Sequence, residues 1–151
     1  MMPQADFQTM PGHLLRRAQQ LSNAFFAEEC GAFDLTAVQY AALQALAGHD
    51  GLDATRLASL IAFDRSTIGD VLERLATKGW ISRLASPDDR RVKLLKLAPA
   101  GRKILSAVAR PVAIVQQRIV APLDAVEREQ FMALLGKIVA QHTQPASNST
   151  S

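Results

Sequence analysis

The chain has 151 residues, 48% of them hydrophobic, which suits one globular domain and excludes a disordered polypeptide. Its 17 Lys and Arg outnumber 14 Asp and Glu for a net +3, a balance that permits a nucleic-acid partner without arguing for one. Cys30 is the only cysteine, so no intrachain disulfide can form. No apolar run reaches a membrane span, and residues 1–10 lack the basic-then-apolar order of a secretion signal, which predicts a cytoplasmic protein with no membrane partner.

Residues 1–10 are polar and aperiodic and predict a flexible arm. Pro11 and Gly12 open a first helix with Leu14, Ala18, Leu21 and Phe25 on one stripe, Phe26 beside it, and Gly31 as its stop. Thr36 and Gln39 have capping-box spacing ahead of a second helix that turns Val38, Ala42, Leu43 and Leu46 inward. Asp53 caps a short third helix with Leu57, Leu60 and Ile61 facing the core. Asp64 caps a fourth, Arg65 to Lys78, with Ile68, Val71, Leu72 and Leu75 inward and Gly79 as its stop. Two short strands follow, around Ile81 to Leu84 and Val92 to Leu97, flanking a charged tip. Pro99 starts a long helix with a stripe from Ile104 through Val108, Val112 and Val115 to Ile119; Pro111 should bend it and Pro122 end it. Asp124 and Glu127 form a second capping box before a last helix carrying Phe131, Leu134, Leu135, Ile138 and Val139. The small polar residues 144–151 predict a disordered tail.

The predicted fold is mainly α with one β-hairpin. Residues 35–98 form a compact lobe. The helices of 11–34 and 99–143 have no sheet to cover, so they pack on one another and on a second copy, as a homodimer.

Two helices joined by a tight turn and followed by a charged hairpin have the order of a winged helix-turn-helix. The outer face of the fourth helix carries Arg65, Ser66, Thr67, Asp70 and Arg74, short polar and basic groups suited to base edges and phosphates in a major groove. Asp70 has two readings, an acceptor for a cytosine amino group or a partner for Arg74 four residues on. At the hairpin tip Asp89 can hold Arg91 extended toward a narrow minor groove, next to Arg90, while Arg83 and Lys93 on the strands are placed for phosphate. The partner implied is double-stranded DNA. Three scattered histidines and one cysteine lack metal-ligand spacing. Without a phosphate loop, nucleophile elbow or supported acid pair, neither a cofactor nor an enzyme is expected.

The run Asp64-Arg65-Ser66-Thr67-Ile68, Leu72-Glu73-Arg74-Leu75, Gly79-Trp80-Ile81, Pro87-Asp88-Asp89-Arg90-Arg91 and Leu97-Ala98-Pro99-Ala100-Gly101 resembles the MarR family of transcription regulators. The resemblance covers most of the chain and implies a triangular helical homodimer with two winged lobes. It implies a repressor of a palindromic operator that lets go when a phenolic or aromatic carboxylate binds. Pro11-Gly12-His13-Leu14-Leu15-Arg16-Arg17 resembles a subgroup controlling aromatic or nicotinate catabolism. Two departures stand out. Ala98 replaces the usual capping Thr, and Gly69 and Asp70 replace residues more often polar or basic, so the DNA sequence read should differ.

The family's effector pocket lies between dimerisation helices and lobe. Residues suited to it here are His13 and Arg17, four apart on one helix flank, with Tyr40 to orient a ring and Phe33 and Phe63 as apolar wall. The competing readings are an ion pair of His13 and Arg17 with Glu28, Glu29 or Asp34, and a core Tyr40 with a satisfied hydroxyl. A further alternative is a redox-sensing regulator of the same fold using Cys30, although nothing basic stands next to it in the sequence.

Overall fold

The computed structural model describes residues 6–143; the tail 144–151 and the first five residues of the arm lie outside them. Within the described part of the arm Phe7–Thr9 form a 3-10 turn, where the Asp6 carboxylate accepts the Gln8 amide and the Asp6 carbonyl accepts the Thr9 amide. Six helices and a hairpin follow. They are α1 (Pro11–Cys30), α2 (Ala37–Gly48), α3 (Ala54–Leu60), α4 (Ile68–Thr77), β1 (Ile81–Ala85), β2 (Lys93–Leu97), α5 (Pro99–Val120) and α6 (Ala125–Thr143).

The local signals act as their chemistry requires. In the box that opens α2, the Gln39 amide donates to Thr36 Oγ1 at 3.2 Å and the Thr36 amide donates to Gln39 Oε1 at 3.1 Å. Asp124 and Glu127 reciprocate in the same way ahead of α6, at 2.9 and 3.0 Å. Asp53 accepts the Arg56 amide at 2.8 Å. At α5 the usual cap is absent: Ala98 offers no side-chain acceptor, and Pro99, lacking an N–H, removes one of the donors that would need it. The helix continues through Pro111.

One inward assignment and one helix start are corrected. Leu60, the last residue of α3, is exposed, and Leu57 and Ala58 are the buried pair of that helix. α4 begins at Ile68 rather than Arg65, since the segment from Asp64 to Thr67 is a separate turn.

The core joins both parts of the chain. Leu43, Leu57, Leu75 and Leu95 of the lobe are fully buried, as are Cys30, Val108 and Val115 where α1 crosses α5. The hairpin pairs Ile81 with Leu97 through Ala85 with Lys93, antiparallel, and gains a third edge where the Leu95 amide donates to the Leu52 carbonyl at 2.8 Å. Arg118 ties α1 to α5, with Nη1 at 2.7 Å from Glu28 and 3.0 Å from Glu29 and its guanidinium 4.2 Å above the Phe25 ring.

Apolar side chains on α1 and α6 stay exposed among the described residues. Leu14, Leu15 and Leu21 of α1 are exposed, as are Phe131, Leu134, Ile138 and Val139 of α6. α6 turns 97° away from α5.

Candidate nucleic-acid interface and adjoining cleft

The tip of the recognition segment is built by Asp64. Its carboxylate accepts the Ser66 amide at 3.0 Å, and its carbonyl accepts the Thr67 and Ile68 amides at 3.1 Å each and the Thr67 hydroxyl at 3.2 Å. Hydrogen bonds from Ser66 hold the Asp64 carboxyl below its ordinary range. The turn therefore remains fixed at neutral pH. It presents Arg65, Ser66 and Thr67, all exposed, ahead of the α4 axis.

Asp70 and Arg74 lie further along, on the flank of α4 that walls a cleft. They do not pair with one another: among the described residues no ion pair joins them, which removes the second reading of Asp70.

In the wing, the Asp89 carboxylate accepts the Arg91 amide at 3.0 Å and Arg91 Nε at 3.2 Å. The Arg91 side chain is 92% exposed, so its guanidinium, held through Nε on Asp89, keeps its remaining N–H groups toward solvent. Arg90 beside it is exposed. Register puts Arg83 opposite the buried Leu95 and Lys93 opposite Ala85, so both cations share the sheet face that carries Ile81 and Leu97, with Lys93 nearer the tip. Tip, wing and strand cations together offer donors on exposed projections, the arrangement a duplex requires.

The cleft is open, with a volume of 1380 Å³, and runs between α1, the start of α2 and α4. Phe26, Leu35, Ile61 and Phe63 supply apolar surface, and Asp70, Arg74 and Lys78 supply charge. Of the five residues expected to hold an effector, Phe63 lines it; His13, Arg17, Tyr40 and Phe33 do not. The structure brings His13 to Arg16 instead of Arg17, with Nδ1 3.1 Å from Arg16 Nη2 and the ring edge-on to Phe7. Three residues along a helix turn through about 300° and four through about 400°, so either neighbour can reach, and here the shorter step wins. Arg17 is exposed and carries no ion pair among the described residues. Glu28 and Glu29 are taken by Arg118 and Asp34 by Lys78, so the ion pairs considered for His13 and Arg17 do not form. Tyr40 is half-buried against Phe26, ring centres 6.0 Å apart, and its hydroxyl accepts from Gln44 at 2.8 Å. Phe33 packs on the core's edge.

Residues 35–93 match the family model described as "MarR family". The chain is 30% identical over 128 residues to the HTH-type transcriptional repressor NicR of Pseudomonas putida, covering 85% of this chain and 81% of that protein. The chain belongs to the MarR family. Among solved structures, the Bordetella bronchiseptica regulator BpsR, whose DNA binding is regulated by 6-hydroxynicotinic acid, superposes with a TM-score of 0.85 at 30% identity over 90% of this chain and 97% of that one. The transcriptional repressor CouR, solved on a 23-mer DNA duplex, gives 0.82 at 26% identity, covering 89% and 96%.

As a MarR-family protein the chain is a DNA-binding transcription regulator with a winged helix-turn-helix fold, and not an enzyme. No single helix among the described residues is long and apolar enough to cross a membrane. Cys30 is fully buried; burial first, and the neighbouring Glu29 charge second, push its thiol pKa up, which disfavours the reactive thiolate. Sequence reasoning missed Lys78, whose side chain meets Asp34 and Gln39 across 44 and 39 residues. No local pattern signals a contact of that separation.

Proposed function

We propose that this regulator is a cytoplasmic homodimeric repressor that leaves a palindromic operator when a small aromatic carboxylate binds between body and lobe. Residues 11–34 and 99–143 make the body and 35–98 the lobe. Arg65, Ser66 and Thr67 read the major groove, Arg91 braced by Asp89 enters the minor groove, and Arg90, Arg83 and Lys93 hold phosphates. Asp70 and Arg74 stand behind the tip and contact DNA only at the groove's edge.

The open cleft between body helix α1 and recognition helix α4 carries the effector reading. A ligand touching both elements binds the two lobe spacings unequally, which is the sole way it can shift their populations. Phe63 forms part of that cleft's wall; Arg17 is the proposed carboxylate anchor, and since it lies outside the cleft lining together with His13, Tyr40 and Phe33, the ligand must extend beyond the cleft along α1 to reach it. The ligand chemistry of BpsR makes a hydroxylated pyridine carboxylate the first compound to try. The exposed Leu14, Leu15 and Leu21 of α1 and Phe131 and Leu134 of α6 support the dimer, since large apolar side chains grouped on an exposed surface mark an association site.

The test is a mobility shift on the gene's own upstream DNA against a panel of aromatic acids. One acid should release the wild type, while Arg17→Ala binds DNA normally and is not released. Normal release of that variant would remove Arg17 from the site, and no response to any acid would remove the effector reading. Burial of Cys30 weighs against the redox alternative.

A further inference from the structure

Lys78 follows the last residue of α4 and reaches back to the joint between α1 and α2. Its Nζ donates to the Asp34 carbonyl, stands 3.3 Å from both Asp34 Oδ2 and Gln39 Oε1, and lies 4.5 Å from the centre of the Trp80 ring. The Lys78 side chain is 23% exposed and the Asp34 carboxylate 93%, so the ion pair contributes little by itself and the tie rests on the Asp34 carbonyl and the buried Gln39.

Each partner belongs to a different part of the fold. Asp34 closes the α1 segment. Gln39 is the buried half of the α2 capping box, and its Oε1 already accepts the Thr36 amide. Trp80 begins the wing, and its carbonyl accepts the Ala98 amide at the start of α5 at 2.9 Å. Asp34 is also a non-glycine residue in the left-handed region, φ 54°, a conformation that persists where its surroundings hold it. The ammonium on its carbonyl is such a hold. Elsewhere α4 packs chiefly on α2, α3 and β1, all within the lobe.

We propose that Lys78 is a positioning residue that fixes the angle of the recognition helix against the helical body, and through it the separation of the two recognition tips in a dimer. This rests on the proposed dimeric grip of DNA. From Lys78 the tip is about one ten-residue helix away, roughly 15 Å at 1.5 Å per residue. A rotation of about 10° at that end moves the tip by about 3 Å, close to the ~3.4 Å step between base pairs. Losing the tie blurs half-site spacing without touching a single DNA contact.

The experiment uses duplexes that the wild-type protein itself enriches from a random pool, each remade with one base pair inserted or removed at its dyad. Fluorescence anisotropy gives the affinity ratio between parent and altered spacing. Wild type should prefer the parent by about tenfold, one base-pair error in docking two half-sites. Lys78→Met keeps the stem on Trp80 and loses the donors; its preference should fall below about threefold with the salt slope unchanged, because the phosphate contacts remain. Lys78→Arg should restore the preference. Lys78→Gln decides the question where the Met variant does not fold. A lowered denaturation midpoint with a wild-type spacing ratio in Lys78→Met would overturn the positioning role alone. Enrichment of no two-half-site duplex by the wild type would overturn the dimeric grip and this proposal with it.

Discussion

Gly101 is the residue on which the joint between wing and body closes. An added Cβ there would stand 2.2 Å from the Trp80 carbonyl oxygen, 2.6 Å from Leu97 Cδ1 and 3.1 Å from the Trp80 carbonyl carbon. The leucine methyl can rotate away. The Trp80 carbonyl cannot, because it accepts the Ala98 amide at 2.9 Å and lies in backbone between α4 and β1. Relief requires the start of α5 to slide by roughly 1 Å, and overpacking of that kind costs about 1–3 kcal/mol. Alanine recovers up to about 1 kcal/mol through helix propensity. Gly101→Ala should thus lose up to about 2 kcal/mol, or up to roughly 8 °C in melting temperature for a chain of this size. Gly69→Ala is the matched control: it is helical with nothing within 4 Å, so only the propensity gain applies and stability should rise by up to about 1 kcal/mol. Urea unfolding followed by circular dichroism at one fixed protein concentration measures both. Equal stabilisation in the two variants would refute the close-packed joint.

Three further outcomes follow from the same geometry. Arg91→Ala should weaken operator binding about tenfold or more and lower the salt slope, read by anisotropy across a salt series; unchanged affinity would remove the wing from the interface. Ala62 occupies the turn between α3 and α4 at φ 54°, so Ala62→Gly should relieve left-handed strain and raise stability by about 0.5–1 kcal/mol after the entropic cost of glycine, in the same urea assay; a loss would show the strain to be absent. Cys30 should resist iodoacetamide in the folded protein at pH 8 and react once urea unfolds it. Its thiol pKa is raised by burial, so the thiolate fraction in the native state is depressed at any pH below that raised value. Rapid native labelling would reopen the redox reading.

The sequence by itself determined what short-range physics decides. Both capping boxes, the Asp53 cap, the stop at Gly79 and the Asp89–Arg91 brace are contacts within five residues, and each is present as read. The helical stripes were legible too, because a 3.6-residue period needs only the chain's own spacing. The same stripes could not say what they face: Leu57 is buried and Leu60 is not, and Phe131 and Leu134 of α6 are exposed. Only the tertiary structure decided the rest. It set the turn from Asp64 to Thr67 apart from α4, paired Leu52 with Leu95, chose Arg16 over Arg17 for His13, and brought Lys78 to Asp34. Such contacts depend on how whole elements are oriented, and orientation is fixed by the packing of many side chains at once, so no single stretch of sequence carries it.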